Sequence, residues 1–221
     1  MDFDLLISAE HASLHFHRPQ QILSSAVLNG GAVISQDLLN LRVDKCAYDT
    51  ALTPQQTIEA HLQQLNMPSN SIGMMTAASM KSLSHQQANH GSLEVHCIVT
   101  AGLSNARQIG ETADAQQEAG TINLWLYINQ PLSKAAQVEA AMMVTEAKTA
   151  AMYENQIKST KNSQLATGTG TDSLAIISPV NSDDSPLHSY CGKHTILGEL
   201  IGKSCLKALQ LSIQKCITAS Q

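Results

Sequence analysis

The stretch Ala166-Thr167-Gly168-Thr169-Gly170-Thr171-Asp172 lies between the longest helical segment of the chain, residues 133–155, and a β-branched run at residues 174–180. Gly168 and Gly170 allow the backbone to adopt positive φ or to approach a ligand closely. The order is helix, glycines, strand, whereas a phosphate-binding loop runs from strand through glycines to helix. The stretch therefore predicts a turn that connects a helix to a buried strand, and it does not indicate a nucleotide site.

Hydrophobic patterns on both sides of this stretch predict the other elements. Asn29-Gly30-Gly31 is a tight-turn signal between two strands, and Thr53-Pro54 opens a helix with threonine as the N-cap. Strands are expected at residues 5–9, 13–17, 22–27, 32–43, 72–78, 93–100, 122–128 and 174–180, and helices at residues 53–65, 133–155 and 194–216. Residues 140–144 are apolar around their helix, which predicts that other parts of the protein cover it on more than one side.

With 221 residues, the chain is long enough for one domain with a sizeable core. We therefore predict a single domain over residues 1–221, of mixed α/β (α+β) class. It should contain layers of helix and a mixed β-sheet, with long helices near residues 133–155 and 194–216. Residues 102–120 are polar and are expected to form a surface loop or a short helix.

Composition and charge argue against several classes of protein. The formal net charge is −5 and no basic run could hold phosphates, so nucleic acid is not an expected partner. No window approaches the roughly 20 apolar residues that a membrane span needs, and the acidic N-terminus lacks the features of a signal peptide. The five scattered cysteines include no Cys-x-x-Cys pair, which argues against a zinc ribbon or a disulfide framework. A cytoplasmic protein is the expectation.

The first candidate site is the stretch at residues 166–172, called the Gly/Thr stretch below. The hydroxyls of Thr167, Thr169 and Thr171 crowd one short turn that ends on the carboxylate of Asp172. One interpretation is a ligand cradle with a positioned hydroxyl or carboxylate. The alternative is an ordinary turn in which Asp172 bonds nearby backbone amides.

A second candidate is His194, which follows Cys191 at a Cys-x-x-His spacing near the start of a helix. A zinc site would need at least one further ligand, and none stands at a recognised spacing. His194 is then either a catalytic imidazole or polar filler at the helix start. Gly198 and Gly202 lie one turn apart, which indicates either close backbone packing or a bulky ligand across the helix. Glu199 can equally form a surface ion pair with the residue four positions later.

Other candidates lie on the long helix and at strand ends. Glu146 follows the apolar centre of the helix, where a covered carboxylate would need a partner or a wet cavity, and a solvent-facing position is the alternative. Asn29, Thr76 and the segment containing Ser104 and Asn105 follow predicted strands, where small residues and amides can leave room for a ligand. Plain turns explain Asn29 equally well.

Six segments occur in an order that resembles the adenosylcobinamide amidohydrolase family, from about residue 24 to residue 203. They are Ser-Ser-Ala…Asn-Gly-Gly at 24–31, Met-Thr-Ala-Ala at 75–78, Thr-Ala-Gly-Leu-Ser-Asn-Ala at 100–106, Thr-Glu-Ala-Lys-Thr-Ala-Ala at 145–151, the Gly/Thr stretch at 166–172, and His-Thr…Leu-Gly-Glu-Leu-Ile-Gly at 194–202. The resemblance implies hydrolysis of the amide that joins the aminopropanol linker to a propionyl side chain of the corrin ring. The products would be adenosylcobyric acid, for coenzyme B12 salvage, and aminopropanol.

The candidate residues and the implied reaction together lead to a hypothesis for the site. Catalytic roles are expected for His194, Glu146, Asp172 and Thr171, with the histidine or the glutamate as base and Asp172 orienting the imidazole. Backbone N–H groups of residues 168–171 would stabilise the oxyanion formed by attack of water or of a threonine hydroxyl. Substrate binding is expected from Asn29, Thr76, Ser104, Asn105, Thr167, Gly168, Thr169, Gly170, Thr195, Gly198 and Glu199.

Neither a metal nor a cofactor is expected, because the cobalt corrinoid would be the substrate. A histidine that ligates corrinoid cobalt often lies in the motif Asp-x-His-x-x-Gly. Here Gly192 stands two residues before His194, in the place of the aspartate, so the motif is absent. A small residue is expected in relatives at the position of Cys191, which disfavours a cysteine nucleophile. A non-catalytic corrinoid-binding protein and an amidohydrolase for a different amide are the alternatives. A homo-oligomer and a monomer are both compatible with the sequence.

Overall fold

The computed structural model describes residues 2–43, 52–113, 120–181 and 187–219. These residues form a mixed α/β fold, which confirms the predicted fold class. The strands are β1 (Phe3–Ile7), β2 (His11–Ser24), β3 (Gly31–Arg42), β4 (Ile72–Thr76), β5 (Ser84–His90), β6 (Leu93–Ala101), β7 (Ala106–Arg107), β8 (Ile122–Ile128), β9 (Gly168–Thr169) and β10 (Ser173–Pro179). The helices are α1 (Pro54–Gln64), α2 (Lys134–Glu154) and α3 (Ile196–Ala219), with a short 3₁₀ turn at Met80–Ser82.

The large sheet is mixed, with the strand order β4-β3-β2-β10-β8-β6-β5, and β1 pairs with β2 beside this path. The pairs β3–β4 and β8–β10 are parallel, and the other pairs in the sheet are antiparallel. The short strands β7 and β9 form a separate antiparallel ribbon. This ribbon joins the Gly/Thr stretch to the loop that follows β6.

Strand β2 is one long strand, where the sequence suggested two shorter ones at residues 13–17 and 22–27. Its register with β3 shifts between His15 and Gln20, around Pro19. Proline lacks a backbone N–H and is tolerated in a sheet at such irregularities. The first half of β2 pairs with β1 and the second half with β10 along the same edge.

Helices α2 and α3 cover one face of the sheet. In β8, Leu124 and Leu126 belong to the apolar cluster under these helices, whereas Trp125 and Tyr127 belong to the cluster on the opposite face. All seven residues of β8 are buried, as expected for a central strand with both faces covered. The prediction of this strand at residues 122–128 is confirmed.

The sheet curves so strongly that β3 and β4 face β6 and β8 across its concave side. Asn40 of β3 donates from Nδ2 to Thr100 Oγ1 of β6 at 2.9 Å. Asn123 of β8 donates from Nδ2 to Asn40 Oδ1 at 2.7 Å and to the Met75 carbonyl of β4 at 3.0 Å. These strands are not neighbours in the sheet, so the contacts depend on its curvature. The curvature brings the end of β4 next to the beginning of β8.

The helix starts follow the capping signals of the sequence. Thr53 and Gln56 form a complete capping box at α1, and the Ser133 hydroxyl accepts from the Ala136 N–H at the start of α2. One expectation about α2 is wrong, because the helix is covered on one side only. Val138 and Met142 are 54% and 60% exposed on its outer face.

Strand β5 has no counterpart among the predicted strands. Its sequence, Ser-His-Gln-Gln-Ala-Asn-His, is polar, and it lies at the edge of the sheet. Edge strands tolerate polar residues because they pair on one side only. Among the described residues, no helix has the length and hydrophobicity that crossing a bilayer requires.

Candidate active site

An open cleft of about 600 Å³ lies where the ends of β2, β3 and β4 meet the beginnings of β8 and β10. Loops after β6 and before α1 complete its walls. Its lining residues are Ser25, Val27, Val43, Pro54, Met74, Met75, Thr76, Ala77, Asn105, Arg107, Glu111, Thr112, Ala113, Gly120, Thr121, Gly170, Thr171, Asp172 and Ser173. Five of the predicted site residues are therefore brought together, namely Thr76, Asn105, Gly170, Thr171 and Asp172.

Asp172 is the most extensively bonded carboxylate of the cleft. Oδ2 accepts from Lys148 Nζ at 2.5 Å and from the Thr169 N–H at 2.9 Å. Oδ1 accepts from the Ile122 N–H at 3.0 Å and from the Thr169 hydroxyl. Four donors fill the acceptor positions of a carboxylate. Asp172 therefore ties the Gly/Thr stretch to α2 and to the start of β8, which is the turn-stabilising alternative that the sequence left open.

Lys148 is the cationic partner of Asp172, in the place where the sequence suggested an imidazole. The pair is largely buried, with side-chain exposures of 18% for Lys148 and 13% for Asp172. Gly168 lies directly against it, because a Cβ at this position would stand 2.4 Å from Asp172 Oδ2 and 2.9 Å from Lys148 Nζ. A side chain at residue 168 would push the two charged groups apart.

Asn105 presents a different arrangement beside the Gly/Thr stretch. The residue is only 4% exposed, and its Oδ1 accepts from Arg107 Nε at 3.0 Å. Within the described part of the chain, its Nδ2 has no hydrogen-bond partner, although the residue lines the cleft. A nearly buried amide with an unused donor is costly unless a ligand or water accepts from it. Asn105 is therefore the polar group of the cleft best placed to bind an incoming carbonyl oxygen.

Glu111 is the anionic partner of Arg107. Arg107 Nη1 lies 3.4 Å from Glu111 Oε1, and the Ser159 hydroxyl donates to Glu111 Oε2 at 2.6 Å. The Ser159 hydroxyl, the Gln108 backbone and the positive charge of Arg107 together lower the pKa of Glu111. Glu111 therefore remains an anion near neutral pH and is a poor proton acceptor.

Several hydroxyl groups also face the cleft. Thr171 is exposed, and its hydroxyl donates to the Gly120 carbonyl at 3.2 Å. The Ser25 and Ser173 hydroxyls lie 3.1 Å apart, and Ser25 Oγ accepts from the Leu174 N–H at 3.1 Å. These groups can bind polar edges of a ligand, and Thr171 is the exposed hydroxyl of the predicted catalytic set.

The two predicted bases, His194 and Glu146, do not line the cleft. Both side chains are exposed, and Glu146 forms an ion pair with the exposed Lys193. None of the four donors to Asp172 is His194, so Asp172 does not orient that imidazole. The reason is that α3 begins only at Ile196, which leaves His194 on the exposed turn before the helix.

Other predicted substrate-binding residues have structural partners. Thr195 Oγ1 accepts from the Gly198 N–H at 2.9 Å and donates to the Gly192 carbonyl at 2.9 Å, so it caps α3. A Cβ on Gly198 would stand 2.1 Å from the Gly192 carbonyl oxygen, which is the close backbone packing that the sequence allowed. Glu199 forms an exposed ion pair with Lys203.

The remaining predicted residues surround the cleft without lining it. Asn29 donates to the carbonyls of Ser69 and Ser71 at 2.9 and 2.8 Å and so closes the turn after β2. Ser104 lies against Gly120, and Thr167 Oγ1 accepts from the Ile109 N–H at 2.9 Å.

Within the Gly/Thr stretch, two backbone donors expected to stabilise an oxyanion are already engaged. The Thr169 N–H donates to Asp172 at 2.9 Å and the Gly170 N–H donates to the Asn105 carbonyl at 3.0 Å. These bonds fold the stretch against Asn105, whose Nδ2 has no partner among the residues that the structure describes.

Cys191 is a packing residue. It is fully buried, and its thiol donates to the Ala136 carbonyl at 3.1 Å. Burial, with the nearby Glu139 carboxylate, raises the pKa of this thiol to about 12. The thiolate is therefore scarce at neutral pH, which disfavours a nucleophilic role. Across residues 2–43, 52–113, 120–181 and 187–219, no three His, Cys, Asp or Glu side chains are grouped as metal ligands.

Sequence reasoning missed Arg107, Glu111 and Lys148 as members of the site. Lys148 was part of a recognised segment, but its role depends on the distance across to Asp172. Arg107 and Glu111 lie in a polar loop without periodicity, and their partners come from three parts of the chain. Arg107 stands two residues after Asn105, and that spacing in a loop is the single local signal that could have suggested it.

Fold and cleft together define an α/β protein with an open polar site built from strand ends and turns. A family model described as adenosylcobinamide amidohydrolase matches residues 4–221. The chain therefore belongs to the adenosylcobinamide amidohydrolase family, which confirms the resemblance that its motifs suggested.

Two curated proteins are similar to this chain. An adenosylcobinamide amidohydrolase of Methanosarcina mazei is 25% identical over 196 residues, covering 86% of this chain and 88% of that protein. An uncharacterized protein of Methanocaldococcus jannaschii is 31% identical over 169 residues, covering 67% of this chain. The match spans 65% of the length of the M. jannaschii protein, slightly less than two thirds.

Proposed function

We propose that this protein hydrolyses the amide between the aminopropanol linker and the corrin ring side chain of adenosylcobinamide. The reaction consumes one water and releases adenosylcobyric acid and aminopropanol, in a step of corrinoid salvage. The observation that carries the proposal is Nδ2 of the nearly buried Asn105, which has no partner among the described residues, in the cleft of a chain that belongs to this family. Such a donor fits the carbonyl oxygen of an amide substrate.

The shape and polarity of the cleft agree with part of a large substrate. A cleft of about 600 Å³ is open enough for the linker and the adjoining side chain to enter while the ring stays at the mouth. The lining hydroxyls and amides suit the neutral amides at the rim of a corrinoid. The ring would therefore bind as substrate at the mouth, with the scissile amide placed beside Asn105.

Catalysis follows from these positions. Asn105 Nδ2 donates to the amide carbonyl, and this bond strengthens as negative charge develops on the oxygen in the tetrahedral intermediate. Water or the Thr171 hydroxyl attacks the carbonyl carbon. When water attacks, one of its protons passes to the leaving amine as the C–N bond breaks. When Thr171 attacks, its hydroxyl proton passes to the amine, and a water then hydrolyses the ester left on Thr171 to give the free acid. Asp172 and Lys148 hold the Gly/Thr stretch that carries Thr171.

A direct test is incubation with adenosylcobinamide, followed by mass spectrometry of the corrinoid and assay of free aminopropanol. Removal of one oxyanion donor costs about 10²–10³ in kcat, so Asn105→Ala should lose that much turnover. Asn105→Asp, which keeps the acceptor but has no N–H, should lose a similar amount. Asn89→Ala, on the exposed edge strand β5, is the matched control and should retain full turnover. Full turnover by Asn105→Ala would rule out this role of the amide.

A second candidate function is binding of the corrinoid without hydrolysis. It is favoured by the four hydrogen bonds that occupy the Asp172 carboxylate and by the lowered pKa of Glu111, which makes Glu111 a weak base. Retention of intact adenosylcobinamide by the protein, with no release of aminopropanol, would establish this function.

A further inference from the structure

The side-chain amide of Asn105 is held in one of its two orientations by Arg107. The Nε–H of an arginine can only donate, so the atom that it meets at 3.0 Å is the oxygen Oδ1. The nitrogen Nδ2 must then point away from Arg107. Since Nδ2 has no partner among the described residues, the orientation leaves its two hydrogens for a ligand.

Backbone packing leaves no room for other side chains beside this amide. A Cβ on Gly170 would stand 2.6 Å from Asn105 Nδ2, and a Cβ on Gly120 would stand 2.7 Å from the Asn105 backbone nitrogen. The Gly170 N–H also donates to the Asn105 carbonyl at 3.0 Å. The two glycines thus fix the backbone of Asn105 and the space around its amide, but neither can choose between the two amide orientations.

Arg107 is itself fixed from two sides. Its backbone belongs to the β7–β9 ribbon, where it pairs with Gly168 and accepts from the Thr167 N–H at 2.8 Å. Its guanidinium faces Glu111, which is held by the Ser159 hydroxyl at 2.6 Å. The side-chain exposures of Arg107 and Glu111 are 18% and 9%, so solvent does not readily replace these contacts.

We propose that Arg107 is a positioning residue that acts through Asn105, by fixing the amide so that Nδ2 faces the carbonyl of the substrate. The proposal rests on the proposed function of the cleft. A rotated amide would present Oδ1 to the substrate carbonyl, and two acceptors would then repel each other. Without the Nε–H, no hydrogen bond from the described residues to Asn105 Oδ1 remains to exclude the rotated form.

A double-mutant cycle on Asn105 and Arg107 tests the proposal. Arg107→Met should lower kcat roughly 10- to 100-fold, the cost of misplacing a catalytic group, and should leave KM for adenosylcobinamide nearly unchanged. In the Asn105→Ala background the same substitution should have no further effect on kcat, because its target has been removed. Effects that multiply in the double variant would overturn the proposal.

Three further measurements separate positioning from general destabilisation. Arg18→Met, which removes an exposed arginine on β2, should keep full turnover. Arg107→Lys keeps the charge but lacks the Nε–H, so it should lose turnover as Arg107→Met does. Recovery of turnover by lysine would show that the charge alone acts, and would contradict the proposal. All assays are run below the melting temperature of the least stable variant.

A crystal structure of Arg107→Met gives a readout that does not depend on activity. The Asn105 amide should be rotated or should adopt both orientations, judged by its hydrogen bonds at high resolution. An amide held as in the parent protein would overturn the proposal even if turnover fell. If the parent protein releases no aminopropanol, the proposed function fails, and the crystal structure still decides the role of Arg107.

Discussion

Asp172 and Asn105 both line the cleft and use their polar atoms in opposite ways. Asp172 accepts four hydrogen bonds from its own protein, so it holds the Gly/Thr stretch in place. Asn105 accepts one bond and keeps its donor for the cleft. The first residue is therefore part of the framework, and the second is the group that we propose binds the substrate.

The buried Lys148–Asp172 pair gives a stability prediction at this scale. Lys148→Met should lower the free energy of unfolding by about 1–3 kcal/mol, because loss of one partner leaves a largely buried carboxylate without its cation. The three other donors to Asp172 limit the loss. Urea-induced unfolding measures the change.

The matched control is Lys203→Met, which removes the lysine of an ion pair with Glu199. Both groups of that pair are more than half exposed, at 66% and 56%, and exposed pairs contribute about 0–1 kcal/mol. An equal loss in the two variants would contradict the assignment of Asp172 as a framework residue.

At the scale of a single element, α3 contains two glycines with opposite surroundings. A Cβ on Gly198 would meet the Gly192 carbonyl, whereas a Cβ on Gly202 would meet nothing within 4 Å. Gly198→Ala should destabilise the protein by about 1–3 kcal/mol through overpacking. Gly202→Ala should stabilise it by up to about 1 kcal/mol, the difference in helix propensity. Thermal unfolding of the two variants would refute this account of α3 if both shifted in the same direction.

Strands β1, β5 and β6 meet at a pair of histidines that predicts a pH dependence. His85 Nε2 and His96 Nδ1 lie 3.0 Å apart, and the Phe3 ring packs on both. Burial lowers the pKa of each imidazole from its usual 6.5; for His96, the nearby carboxylates Glu94 and Asp2 partly oppose the shift. Below that pH, the two histidines therefore bind more protons in the unfolded chain than in the folded protein. Stability should be full at neutral pH and should fall as the pH drops through 6.5.

The test compares melting temperatures at about pH 7.5 and about pH 5.5, above the range in which most carboxylates titrate. The double variant His85→Gln/His96→Gln should lose less stability between the two pH values than the parent protein. His90→Gln, an exposed residue at the end of β5, is the control and should behave like the parent. Equal pH dependence in the double variant and the parent would show that the histidine pair is not the cause.

The sequence predicted those elements whose signals are local. The apolar run at residues 122–128, the Thr53 cap and the helical segment at residues 133–155 correspond to β8, α1 and α2 in the structure. Strand β5 was missed because its residues are polar. Strand β2 was divided in two because Pro19 interrupts its hydrophobic alternation, although the chain pairs on both sides of that proline.

Site residues were predictable where chain order brings them to one turn, as in the Gly/Thr stretch. The partner of Asp172 was not predictable, because Lys148 reaches it from α2 and no spacing in the sequence encodes that distance. The partner of Asn105 stands only two residues away, but the fold of the loop, and not the spacing alone, brings the Arg107 Nε–H to Oδ1. The choice of His194 and Glu146 as bases rested on residue type and on their places at a helix start and beside the apolar centre of a helix, and both side chains lie outside the cleft.

At the scale of the whole molecule, curvature of the sheet creates the cleft. The buried amides of Asn40 and Asn123 join strands that are not neighbours in the sheet, and Asn123 holds the end of β4 through the Met75 carbonyl. Met75 also lines the cleft. Buried polar groups of this kind are tolerated because each has a partner, and here they fix one wall of the cleft relative to the other.

His194 gives a further prediction at this scale, because it lies on the exposed turn before α3 and does not line the cleft. His194→Ala should retain most of the turnover with adenosylcobinamide, since the imidazole makes no hydrogen bond to any described residue and does not line the cleft. A fall in kcat comparable to that of Asn105→Ala would instead place the proton acceptor on this turn.

The measurement that tests the central claim most directly is turnover of adenosylcobinamide in water enriched in heavy oxygen. The parent protein should release aminopropanol and an equal amount of adenosylcobyric acid carrying one solvent oxygen, and Asn105→Ala should form both about 10²–10³ times more slowly. Unchanged corrinoid with the parent protein, or equal rates for the parent and Asn105→Ala, would contradict the claim that this cleft hydrolyses the amide.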